Sequence, residues 1–257
     1  MNKIAVVMHK EWLELRREKW LLGSIGLMLA LLTGIPFAVL SNPGASNTNI
    51  SALVNDPSFR GLSQDEILQV ILMRQFLLLY MMMPLYIPST IAAYSIVGEK
   101  AKRTLEPLLA APVRTAELMI AKSLVAAIPA MLVSWLGYSV YMIGTRFVIL
   151  SDQVYNLVFT PAWMLAIVLW VPLLTLIAVG LGVMISTRVN DPRTAQQLTG
   201  VVVVPVLVVF FAQLSGLLSV NTGVVFGAVV PLALAAAGIL FASIKIFNRE
   251  AILTRWS

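Results

Sequence analysis

Long uncharged runs alternate with short polar islands along this chain, and the alternation predicts its elements. The runs cover about residues 21–40, 76–97, 123–144, 162–186, 198–219 and 223–244. Each approaches the ~20 apolar residues an α-helix needs to cross a hydrocarbon core of ~30 Å. Six transmembrane helices are therefore predicted. Residues 3–20 carry a different rhythm. Ile4, Val7, Met8, Trp12 and Leu15 share one face at 3.6-residue spacing, with Lys3, Lys10, Glu14 and Arg17 on another, and only Val6 and Leu13 break the pattern. This segment reads as an amphipathic helix lying in the headgroup layer, with Trp12 and Trp20 suited to that depth.

The polar islands carry recognisable punctuation. Residues 41–56 form a loop rich in Asn, Ser, Gly and Pro. Ser63-Gln64-Asp65-Glu66 matches a capping box. A helix starting there and running through 76–97 is longer than a bilayer requires, so part of it stands outside. Asp191 and Pro192 fit the N-cap and first helical position of a later helix. Every span holds proline (Pro36, Pro84, Pro88, Pro129, Pro172, Pro205, Pro231). Each removes a backbone donor, and bent helices are one way to line a gated pathway, although proline is common in membrane helices in any case. Gly223 and Gly227 have the spacing for close helix approach.

Composition agrees with a membrane protein. Charged residues are 12% of the 257 and hydrophobic residues 59%, against roughly 25% charged in a soluble domain. A single membrane domain over 1–257 is expected, all-α, with lipid as its surroundings. The net charge of +6 does not point to nucleic acid, because fifteen of the eighteen Lys and Arg fall on one side of the predicted topology. By the positive-inside rule both termini are expected in the cytoplasm of a multi-pass cell-membrane protein, with a bacterial or archaeal inner membrane the fitting setting. There is no cysteine, and His9 is the only histidine, ahead of the first span.

Enzyme chemistry finds no catalytic residue here. No ionisable side chain lies in the central part of a predicted span, which argues against a proton relay or an intramembrane protease. No H-E-x-x-H helix offers a metal site. Ser134, Tyr138 and Tyr141 in the third span, with Gln213 and Ser215 in the fifth, are the main polar side chains at depth. They are candidates either to line a pathway or to join helices by hydrogen bonds.

The island at 98–122 carries the sharpest local pattern. Thr104 can cap a short helix over Leu105–Ala111, with Glu106 in its first turn and Pro107 tolerated there. Leu105, Leu108 and Leu109 share a face, and Pro112 stops the helix. Such a leucine face needs a cover, either the rest of this chain or a groove on another protein, unless an ordinary loop packs its leucines on the membrane surface. The run from Glu99 to Lys122, E-x-x-x-x-T-L-E-P-L-L-x-x-P-V-R-x-x-E-L-x-x-x-K, resembles the signature loop of type-2 ABC transporter permeases. The N-terminal K-E-W-x-E-L-R-R-E-K-W resembles that family's elbow helix, and Phe247–Leu253 its usual ending. Arg103 stands where the family often has glycine.

The resemblance implies an exporter subunit with six spans, an interfacial elbow helix and a short cytoplasmic coupling helix. Docking on a separate ABC ATPase would fall to Glu99, Arg103, Thr104, Leu105, Glu106, Leu108, Leu109, Pro112 and Glu117. ATP and Mg would be bound by that partner and no cofactor by this chain, which has no Walker sequence. A second copy, or a homologous permease, would complete the pathway. A membrane scaffold without transport is the competing reading, and a stand-alone channel a third.

Overall fold

A computed structural model of the chain describes residues 3–41, 59, 61–101, 115–189, 191–215 and 220–246. Among them there is no strand, and six helical segments are long and apolar enough to cross a membrane: Lys19–Leu40, Gln64–Glu99, Glu117–Thr145, Asp152–Arg188, Gln197–Leu214 and Thr222–Ile246. The protein is all-α.

Helix α1 (Lys3–Arg17) ends at Glu18, and α2 (Lys19–Leu40) forms the first span. The second span is two helices, α3 (Gln64–Tyr80) and α4 (Met83–Ala101), separated at Met81–Met82. Pro84 follows that break, in the first turn of α4, where its missing donor leaves no intrahelical bond unmade. The capping box opens α3: Glu66 N–H donates to Ser63 Oγ (3.3 Å) and Ser63 N–H to Glu66 Oε2 (2.8 Å). Helix α5 (Thr115–Thr145) is the third span. A short helix not anticipated from the sequence, α6 (Asp152–Val158), precedes α7 (Pro161–Arg188). Helix α8 (Pro192–Thr199) starts at Asp191, whose Oδ2 accepts from Thr194 N–H at 2.8 Å. A 3-10 turn at Gly200–Val203 then leads into α9 (Val204–Leu214), with Pro205 at its start, and α10 (Thr222–Ile246) closes the described chain.

The core is built on α4, α7 and α5, with α10 packed along α7. Small residues bring these helices together. A Cβ on Gly182 would stand 2.7 Å from the Ser89 carbonyl oxygen, and one on Gly180 would stand 2.6 Å from Ile239 Cγ2. Gly227, by contrast, has nothing within 4 Å of that position, and Gly223 meets only Asn221, so among the described residues no helix packs on the Gly223/Gly227 pair. The second, third and fourth spans are half buried in their most apolar stretches (56%, 50%, 50%), whereas the first, fifth and sixth are mostly open (6%, 22%, 11%).

The second span extends beyond its uncharged run, and the helix expected from Thr115 into the third span is present. Helix α4 continues to Ala101 and α5 starts at Thr115, so both ends of the 98–122 island are helical. The proposed short helix at 105–111 lies outside the described residues.

Candidate functional site

Five charged side chains, Lys10, Glu11, Glu14, Glu99 and Lys122, meet where α1, α4 and α5 converge, at the end of the bundle from which 102–114 departs. Val7, Glu11 and Leu15 are spaced by four on α1 and share its inward face. Glu11 is therefore carried into the packing with its apolar neighbours and is 5% exposed. Ser95 and Glu99 are likewise four apart on α4, and Lys122 lies two turns into α5, 3% exposed, beside the fully buried Ala121 and Ala126.

Lys122 Nζ donates to Glu11 Oε1 (2.8 Å) and to Ser95 Oγ (2.8 Å), and it pairs with Glu99 Oε2 at 2.9 Å. Ser95 Oγ in turn donates to Glu11 Oε2 (2.8 Å). At the rim, Lys10 Nζ donates to Glu99 Oε1 (2.8 Å) and pairs with the exposed Glu14 at 3.2 Å. One lysine thus ties three helices. Burying each ion costs several kcal/mol, and only mutual pairing with filled hydrogen-bond positions offsets that cost.

Burial pushes the Glu11 carboxyl upward, but the charge and hydrogen bond of Lys122, helped by Ser95 and Lys10, outweigh it and hold Glu11 below its ordinary value of 4.5. Partial burial works against the charge on Lys10, yet its hydrogen bond and attraction to Glu99 prevail, and its pKa is raised. Carboxylate oxygens of Glu11, Glu14 and Glu99 come within 4.8 Å of one another. The positive charge that gathers them is already supplied by Lys10 and Lys122. A cavity of about 250 Å3 borders the cluster, lined also by Arg17, Glu18 and Tyr94. The side chains have room to change partners. The Ser95 hydroxyl is held between Lys122 and Glu11 as a link in the network, and the arrangement binds three helices through charge.

A family model for ABC-2 family transporter proteins matches residues 5–250. The chain belongs to the ABC-2 transporter family. No curated protein matches it. In this ABC-2 permease the matched region takes in nearly all of α1, the six candidate spans and the ion cluster.

The structure separates the expected site residues into three groups. Glu99 is in the cluster, and Glu117 is in the first turn of α5, where the helix dipole favours a carboxylate. Arg103, Thr104, Leu105, Glu106, Leu108, Leu109 and Pro112 lie outside the described residues. The polar residues at depth do not meet at one place. Ser134 is buried and donates to the Ala130 carbonyl (2.7 Å), and Tyr141 is buried and donates to the Met73 carbonyl (3.2 Å). Tyr138 is buried with its hydroxyl unpaired among the described residues, as is the Gln213 carbonyl oxygen. Ser215 is exposed just past α9 and donates to the Ala212 carbonyl.

Sequence reasoning missed Glu11, Lys10, Ser95 and Lys122. Lys122 had been counted only as a topology-setting charge; buried in α5, it also pairs the helices. A signal for Glu11 was present, a lone charge on the apolar stripe between Val7 and Leu15. Trp12, assigned to that stripe, is 42% exposed instead, and so is Trp20 at 63%.

Proposed function

We propose that this ABC-2 permease is the membrane subunit of an ATP-driven exporter, with both termini and the 102–114 segment on the cytoplasmic side. A separate ATPase subunit binds ATP and Mg and docks on the leucine face of 105–109. A second copy, or a homologous permease, encloses the pathway with it. The observation that carries the reading is the buried ion cluster. It joins the two helices that flank 102–114 to each other and to the elbow helix, at the point where force from a docked partner would enter.

Movement of the docked segment shifts the ends of α4 and α5. Because Lys122 holds Glu11 and Glu99 together, α1 moves with them rather than being left behind. The break at Met81–Met82 lets α4 tilt while α3 stays in place. ATP hydrolysis supplies the work on the partner, and this chain's residues transmit it.

The test is Leu108→Asp. Membrane insertion and assembly stay intact, while cargo-stimulated ATP hydrolysis by the co-purified ATPase is lost. Normal stimulation in this variant would overturn the docking role. Purification from native membranes in mild detergent without any ATPase would favour the scaffold reading.

A further inference from the structure

A second cavity, of about 740 Å3, lies within the spans, walled by α7, α10 and α9 with its floor on the α3/α4 junction. All twenty residues lining it are apolar. Its one side-chain donor, the Trp170 indole, is already spent on the Val225 carbonyl at 3.1 Å. It runs from Trp170 to Ile185 along α7, about 22 Å at the helical rise, or most of the ~30 Å hydrocarbon core. Helix α9 packs mainly on α3 and on the 3-10 turn, which leaves the cleft between it and the α7–α10 pair.

The dimensions choose the occupant. A volume of about 740 Å3 over about 22 Å gives a mean cross-section of roughly 34 Å2. A helix of ~10–12 Å diameter covers roughly 80–110 Å2, so a helix from a second copy would seat only part of its width in this open groove. Hydrocarbon chains packed at carbon contact distance are roughly 4 Å across, on the order of 15–20 Å2 each, so one or two fit side by side. At this depth no water competes, and an apolar lining offers nothing to a polar cargo.

Helix α7 also places a cation at the mouth. Leu174, Leu181 and Arg188 are seven apart, so Arg188 continues the groove-lining stripe one turn beyond Ile185, and it is exposed. A long cationic side chain at a helix end reaches headgroup phosphates, and guanidinium pairs with phosphate in a bidentate manner.

We propose that this groove binds the acyl tails of an anionic phospholipid drawn from the leaflet at the basic end of the bundle, its phosphate held by Arg188. The site depends on the chain spanning a membrane and not on the export reading. The opposite face of α10, with Phe226, Val230, Leu234 and Phe241 exposed, is ordinary lipid-facing surface and serves as the internal reference.

Photolabelling in phosphatidylglycerol vesicles carrying a diazirine on one acyl chain tests this. Labels should concentrate on Leu181, Ile185, Val202 and Val206 over Phe226, Val230 and Phe241. Filling the groove with Leu181→Trp and Val206→Trp should lower groove labelling to the reference level while leaving the reference face unchanged, which also shows that the variant is folded. Arg188→Gln should cut groove labelling by the phospholipid roughly fivefold, the value of one basic side chain at an anionic surface, but not labelling by a diazirine-bearing alkane. Uniform labelling of both faces would reduce the groove to annular surface and overturn the proposal. An unlabelled groove with Val202→Cys cross-linking between copies would assign it to a second chain and do the same. An Arg188→Gln variant labelled like the parent would overturn the phosphate contact.

Discussion

The second and third spans are held together differently at their two ends. At the basic end the links are ionic, with Lys122 between Glu11 and Glu99. At the far end they are aromatic. Tyr80 and Tyr141 meet at a tilt, 5.1 Å between centroids, Phe159 lies 6.0 Å from Tyr141 and 6.2 Å from Tyr138, and Tyr155 closes on Phe159 at 4.7 Å. Gln69 ties the turn before α6 into the same region, donating to the Val148 carbonyl and accepting from Leu150 N–H, both at 3.0 Å. Ring packing draws mainly on apolar contact, and the charge beside it is an exposed rim pair, Arg146 with Asp152 at 2.7 Å, with the Arg146 guanidinium 4.0 Å over the Tyr155 ring. An ion cluster beside a cavity responds to protonation and to any new charge brought near it. The break at Met81–Met82 lies between the two. The contrast suits a fixed far end and a basic end that can be moved.

The hardest blow to that contrast is Lys122→Met. It leaves Glu11 and Glu99 buried without their shared cation, a loss of about 3–5 kcal/mol. Thermal unfolding in detergent reads it directly, and a midpoint equal to the parent's would mean that the basic end is not held by ions. Acid should act on the same end. Glu11 has a folded pKa below its ordinary value of 4.5, so its contribution is complete above that value and is lost as pH falls through the folded pKa. Stability should therefore drop more steeply below pH ~4.5 in the parent than in Glu11→Gln. Parallel pH profiles would remove Glu11 from the account. Tyr141→Phe, at the far end, gives up only the bond to the Met73 carbonyl and should cost about 1 kcal/mol, with no change in pH dependence.

How much of this was legible in the sequence differs between the two ends. The spans, the capping box at Ser63 and the cap at Asp191 follow from local rules, hydrophobic run length and side-chain bonds three residues apart, so they were readable. The ion cluster was not, because Glu11, Ser95, Glu99 and Lys122 are brought together by the packing of α1, α4 and α5, which no local pattern specifies. A helix capped at Thr115 and carrying Lys122 into the third span was expected, but Lys122 was read there only as a charge that sets topology. Its helix starts at Thr115, and the apolar turn around Leu118, Ala121 and Val125 shows it to be interior. The short α6 was missed because its seven residues have too few turns for a periodic signal. The family resemblance was visible because it rests on residues close in sequence, from Glu99 to Lys122.

Tyr138→Phe is the smallest and the most discriminating change at the far end. Tyr138 is 6% exposed, its ring meets Phe159 edge-on, and its hydroxyl is unpaired among the described residues. A buried hydroxyl without a partner costs about 1–3 kcal/mol of desolvation. Deleting it keeps the ring contact and should leave stability unchanged or raise it by up to about 1 kcal/mol, opposite in sign to Tyr141→Phe. An unpaired polar group kept in a packed bundle needs a reason, and contact with a passing cargo is one. Measured together, thermal midpoint and transport separate the two roles for Tyr138. If the midpoint holds or rises while transport falls, the hydroxyl serves the cargo; if both hold, the ring is packing alone. A fall in the midpoint would show that the hydroxyl has a partner in the membrane-embedded protein, and would make the far end polar where the contrast requires it to be aromatic.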